Sequence, residues 1–67
     1  MSQNEISAAI QRLPASYQTT LTAYLLEDLS YQEIADQLHK QVGTVRKSVE
    51  RGLEMLRKEL GKPTHIS

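Results

Sequence analysis

Cysteine is absent from these 67 residues, and disulfide staples and thiolate metal sites are excluded with it. A reducing compartment suits such a chain. Long apolar runs are missing too. No stretch approaches the roughly 20 residues of a membrane span, so no membrane partner is expected. The opening Met1-Ser2-Gln3-Asn4-Glu5 lacks the basic-then-apolar pattern of a secretory signal, and a soluble, cytoplasmic protein is the expectation. Aromatic residues are limited to Tyr17, Tyr24 and Tyr31. Two of them are expected in the core and one at the surface, in preference to a base-stacking platform. Histidine is limited to His39 and His65, without a partner at ligand spacing, so no metal or other cofactor is expected. The serines lack a nearby base and the acids are scattered over helix faces, so an enzyme is not expected. No segment alternates with period two, and no sheet is predicted.

Net charge is also lacking, yet the zero is an average. Residues 1–39 set Glu5, Glu27, Asp28, Glu33 and Asp36 against Arg12 alone, a net of −4. Residues 40–67 set Lys40, Arg46, Lys47, Arg51, Arg57, Lys58 and Lys62 against Glu50, Glu54 and Glu59, a net of +4. Such a split points to an anionic partner on one side of the molecule, the bland alternative being a solvated helix of mixed charge. The length allows one domain, with modest stability because a chain this short buries only about 60% of its unfolded surface.

What is present is helical periodicity. Ser2 and Glu5 have the spacing of a capping box, and Ile6, Ala9, Ile10 and Leu13 make one apolar stripe, predicting a helix from about Ser2 to Leu13. Pro14 ends that helix and starts the next, whose inward stripe is Tyr17, Leu21, Tyr24 and Leu25, with Leu26 off it. Glu27 and Asp28 mark its stop. Ser30 and Glu33 form a second capping box for a short helix that buries Ile34, Ala35 and Leu38. His39-Lys40-Gln41 is the turn. A longer helix from about Val42 to Leu60 carries Val45, Val49, Leu53, Leu56 and Leu60 at spacings of three and four. Gly52 lies inside it, where glycine costs about 0.8–1 kcal/mol against alanine, so close packing is expected there. Gly61 reads as a stop. The prediction is an all-α, compact four-helix domain over residues 1–61, without a wing, followed by a flexible tail over 62–67.

The informative stretch runs from about Ser30 to Leu53. A capped short helix, a tight turn and a longer basic helix make a helix-turn-helix. Ala35 is small enough for the two helices to cross closely, so that Ile34, Leu38, Val45 and Val49 share one core. The first turns of the last helix are then free to enter a major groove. Arg46 and Lys47 can reach guanine edges or phosphates, Val42 a thymine methyl, and Gly43 allows close backbone approach. Gln41 and Thr44 sit where helix N–H groups favour a phosphate. Tyr31 and Gln32 can touch the backbone from the other side, and Arg51 can clamp a phosphate. Lys40, in the turn, completes the candidate DNA-binding set. Glu50 would repel DNA if it faced it and is expected to pair with Lys47 or Arg46.

Leu13-Pro14, Leu29-Ser30-Tyr31-Gln32-Glu33-Ile34-Ala35, Gly43-Thr44-Val45-Arg46-Lys47-Ser48, Arg51-Gly52 and Leu56-Arg57 together resemble the C-terminal region 4 of bacterial sigma factors, of the extracytoplasmic-function group. The likeness covers roughly residues 6–60. Each piece is short and degenerate, and the specificity lies in their order and spacing. The resemblance implies recognition of the promoter −35 element in double-stranded DNA and docking on the flap of the RNA polymerase β subunit, with an anti-sigma factor as a further partner. It implies base reading from Val42, Gly43, Arg46 and Lys47, and backbone contacts from Tyr31, Gln41, Thr44 and Arg51. Promoter melting in that family depends on a separate region 2, for which this chain has no room.

Three residues depart from the family pattern. His39 stands where glycine is usual and a left-handed backbone is favoured. Gln41 stands where a serine or threonine cap is common, a loss of about 1 kcal/mol. Gly52 replaces a common alanine. Two other readings stay open: a stand-alone adaptor that binds polymerase or an anti-sigma factor, and a regulator domain of the LuxR type, which shares a Leu-Ser-x-x-Glu-Ile-Ala segment. The Leu-Pro opening and the Arg-Gly-Leu-Glu-Met-Leu-Arg ending fit sigma region 4 better.

Overall fold

Ser2 and Glu5 begin the first helix as their spacing predicts. The Glu5 amide donates to Ser2 Oγ at 3.3 Å and the Ser2 amide to Glu5 Oε1 at 3.0 Å. The computed structural model describes residues 2–61. The predicted tail over 62–67, with His65, lies outside the described residues. Helix α1 spans Gln3–Ile10, shorter than predicted. Pro14 bars helical geometry at Leu13, and the chain tightens ahead of it. Arg12 N–H donates to the Ala9 carbonyl and Leu13 N–H to that of Ile10, the three-residue bonds of a narrowing helix end. Leu13 stays buried by this route.

Helix α2 spans Ala15–Leu21 behind Pro14. The Gln18 side chain donates to the Gln11 carbonyl at 2.9 Å and the Leu13 carbonyl at 2.7 Å, satisfying acceptors that the end of α1 leaves open. Thr20 is buried, and its hydroxyl is satisfied by the Ser16 carbonyl. The helix then widens into a π turn over Thr22–Leu26, closed by Glu27 N–H on the Thr22 carbonyl at 3.0 Å. This widening corrects the predicted stripe. One added residue per turn rotates the positions that follow, so Ala23 becomes buried and Leu26 packs on the core, while Leu25 is 37% exposed. Asp28 then turns the chain at φ 60°, and Leu29 N–H closes the end on the Ala23 carbonyl.

Helix α3 spans Tyr31–Leu38 and α4 spans Val42–Gly61. Gly61, predicted as a stop, is still helical and is the last of the described residues. All regular structure among the described residues is helical, as the periodicity predicts. The core joins Ala9, Ile10 and Leu13 from the first segment to Leu21 and Ala23, Ile34 and Ala35, and Val45, Val49 and Leu56. Helix α4 is its spine, packing against α1, α2 and α3. Gly52 explains the close approach of α2: a Cβ there would lie 3.1 Å from Leu21 Cγ and Cδ1. Each fully buried Leu, Ile or Val contributes about 1.5–3 kcal/mol, and these contacts fix the angle at which α4 leaves the body.

Candidate nucleic-acid interface

The second capping box sets the start of α3. The Ser30 amide donates to Glu33 Oε1 at 2.8 Å, and the Glu33 amide to Ser30 Oγ at 3.1 Å. The helix stops at His39, which takes the left-handed conformation at φ 56°, ψ 46°. Lys40 N–H then reaches back to the Ala35 carbonyl at 2.9 Å, the bond that closes a helix end around a left-handed residue. Histidine therefore does the work that the family pattern gives to glycine. Three residues, His39 to Gln41, connect the helices, and the Gln41 carbonyl accepts from Val45 N–H as α4 begins. Ile34 and Ala35 on α3 and Val45 and Val49 on α4 are all buried. The crossing is thus the helix-turn-helix predicted from the sequence.

With Val45 and Val49 held inward, the first turns of α4 face solvent. Gln41, Gly43, Thr44, Arg46 and Lys47 line one shallow groove together with Glu50. One turn on, Lys47, Glu50, Arg51 and Glu54 line a second. Among the described residues, nothing beyond its chain neighbours and its own helix backbone lies within 4 Å of where a Gly43 side chain would begin, so the backbone there is open to a partner. Val42, 39% exposed, opens α4, and Lys40 is exposed in the turn before it. Gln32 is exposed at the start of α3, its amide donating to Asp36 Oδ1 at 3.2 Å.

Tyr31 is placed differently from the other candidates. It is half-buried, and its ring stacks on Tyr24, with centroids 5.3 Å apart and planes 18° from parallel. The hydroxyl's hydrogen bond to Tyr24 raises the Tyr31 pKa above the ordinary tyrosine value, and burial and the nearby Glu50 charge add to the rise while Arg46 opposes it. Tyr31 therefore sits at the flank of α4 where Arg46 and Glu50 emerge. The expected division of two core tyrosines and one surface tyrosine gives way to three half-buried rings.

Glu50 and Glu54 are the groove residues that the candidate set leaves out. Their helical spacing from Lys47, three and seven residues on, carried the signal. Their charge argued against DNA. The structure sets Glu50 on the same face as the cations. Among the described residues, no group of three or more His, Asp or Glu is arranged to hold a metal ion, and no helix is long and apolar enough to cross a membrane.

Comparison with known proteins agrees with this architecture. Residues 3–56 match the family model described as Sigma-70, region 4. The chain is 40% identical over 57 residues to the ECF RNA polymerase sigma factor SigW of Bacillus subtilis, a match over 85% of this chain and 30% of that protein. It is 36% identical over 58 residues to the ECF RNA polymerase sigma factor SigE of Mycolicibacterium smegmatis, over 87% of this chain and 23% of that protein. The chain thus spans less than a third of the length of these curated relatives. No solved structure gives a significant match.

Proposed function

The chain belongs to the sigma-70 region 4 family, and we propose that it binds the major groove of a promoter −35-type element in double-stranded DNA, acting with RNA polymerase in transcription initiation. One observation carries this reading. The groove of Gln41, Gly43, Thr44, Arg46 and Lys47 lies at the N-terminal end of α4, where a helix-turn-helix presents base-reading side chains. Val42, Gly43, Arg46 and Lys47 are the base-reading residues. Gln41 and Thr44 meet a phosphate at the helix N-terminus, and Lys40 and Arg51 neutralise phosphates on either side. Gln32 contacts the backbone from α3. Tyr31, half-buried with its ring stacked on Tyr24, does so as well.

The test is the double variant Arg46→Ala/Lys47→Ala. Both side chains are exposed, so helicity by circular dichroism is expected to be unchanged. Affinity for a duplex selected by the unaltered chain is expected to fall at least about tenfold, since each good base pair contact is worth roughly 1–3 kcal/mol. Equal affinity would overturn the reading.

A second activity is favoured by a separate observation. Leu53, Leu56 and Leu60, with Arg57 and Gly61, line an apolar groove toward the end of α4, away from the basic groove. It is a fitting seat for a partner helix, and the flap of the RNA polymerase β subunit, or an anti-sigma factor, is the partner proposed. Leu60→Glu is expected to abolish capture of purified polymerase while leaving DNA affinity intact. Capture at wild-type strength would exclude this seat.

A further inference from the structure

Glu50 is the acid among the cations, and its placement has a use if α4 is the DNA-contacting helix, the reading on which this inference rests. Gly43, Arg46, Lys47 and Glu50 stand at i, i+3, i+4 and i+7 on α4. Recognition helices aim side chains into one groove with that same spacing. Glu50 lines the groove of Gly43, Arg46 and Lys47, and also the adjoining one with Arg51. Three cations therefore offset its repulsion from phosphates.

An ionised carboxylate is an acceptor only, and it gains in a major groove only where a base offers a donor. Those donors are the N4 amine of cytosine and the N6 amine of adenine. The adenine amine lies between two acceptors, its own N7 and the O4 of the paired thymine, and both repel a carboxylate. The cytosine amine has an acceptor, guanine O6, on one side only. Guanine and thymine edges present O6, N7 and O4 and are repelled outright. We propose that Glu50 is a specificity residue that accepts a hydrogen bond from the N4 amine of a cytosine in the major groove and disfavours the other three bases at that position.

The experiment is selection from a random duplex library by the 67-residue chain, repeated with Glu50→Ala, Glu50→Gln and Arg46→Ala/Lys47→Ala. Glu50 is exposed, and unchanged helicity confirms that its variants fold. The unaltered chain is expected to enrich cytosine at one position by about tenfold. Glu50→Ala erases that preference alone, and Glu50→Gln moves it to adenine, whose N6 and N7 suit an amide. If the chain selects a sequence, the Arg46/Lys47 variant loses it, and both Glu50 variants keep it at every position, the role of Glu50 is overturned and the DNA-binding reading stands. If the unaltered chain enriches no sequence, that reading falls and the role of Glu50 with it.

Discussion

His39 and Asp28 are the two non-glycine residues at positive φ among the described residues, and both end a helix. A left-handed conformation costs an L-residue about 1–2 kcal/mol, and glycine removes that cost while losing more chain entropy on folding. The balance favours glycine at His39 by about 1 kcal/mol. His39→Gly is therefore expected to raise Tm by about 4–8 °C for a domain of this size, read by thermal circular dichroism. A lower Tm would show that the histidine side chain contributes more than its backbone gives up. Tyr31 makes a second prediction at this scale. Its pKa is raised, chiefly by the Tyr24 hydroxyl, so the folded state favours the protonated ring. That contribution is complete below the ordinary tyrosine value of about 10 and is lost as pH rises through the raised one. In an absorbance titration of the three tyrosines, one is expected to ionise late. Tyr24→Phe should move it back toward the ordinary range, and a late tyrosine unchanged in this variant would assign the shift elsewhere.

At the scale of the element, the caps are the parts most legible in the sequence. Ser-x-x-Glu occurs at Ser2–Glu5 and at Ser30–Glu33, and both pairs form their reciprocal bonds. Ser30→Ala is expected to cost about 1 kcal/mol, seen as a lower Tm and as faster amide exchange at Glu33. Unaltered exchange would show that tertiary packing alone holds the start of α3. The turn from His39 to Gln41 was readable for a like reason, since the apolar stripe of α3 ends at Leu38 and that of α4 has its first buried member at Val45. The π turn was not readable. A stripe read at 3.6 residues per turn has no place for an added residue, so it turns Leu25 inward and leaves Ala23 out. Gly52 was readable as a packing site but not its partner, because Leu21 lies on another helix. Adding a methyl at Gly52 sets about 1 kcal/mol of helix propensity against overpacking of roughly 1–3 kcal/mol. Leu21 is fully buried and meets the new Cβ at 3.1–3.2 Å through Cγ and both Cδ atoms, so it cannot swing clear. Gly52→Ala is expected to lower stability by about 1 kcal/mol in denaturant unfolding, and a gain would mean that the core yields there.

Across the whole molecule the zero net charge conceals a separation that the fold preserves. The excess of acid lies in the residues of α1 to α3, and the excess of base lies in α4 and the turn before it. On the proposed reading the division of labour follows: α1 and α2 pack against α4 and fix it, and α4 meets the DNA. The sequence made the cations of the reading face legible, because Val45 and Val49 define which way is in. It left Glu50, the proposed specificity residue, illegible as a reader, because charge sign and helical position pointed opposite ways. The small number of cations on this face predicts a moderate salt dependence. Of Lys40, Arg46, Lys47 and Arg51, two or three on phosphates would give a log–log slope of about −2 to −3. Between 50 and 200 mM salt the affinity for duplex DNA would then fall about 10- to 40-fold. Removing an acid of the same face should raise affinity without altering that slope, because counterion release follows the phosphates contacted and not the net charge. Glu54→Gln is expected to behave in this way in anisotropy titrations over that salt range. A slope that steepens by a full unit would show that Glu54 holds one of these cations away from the backbone.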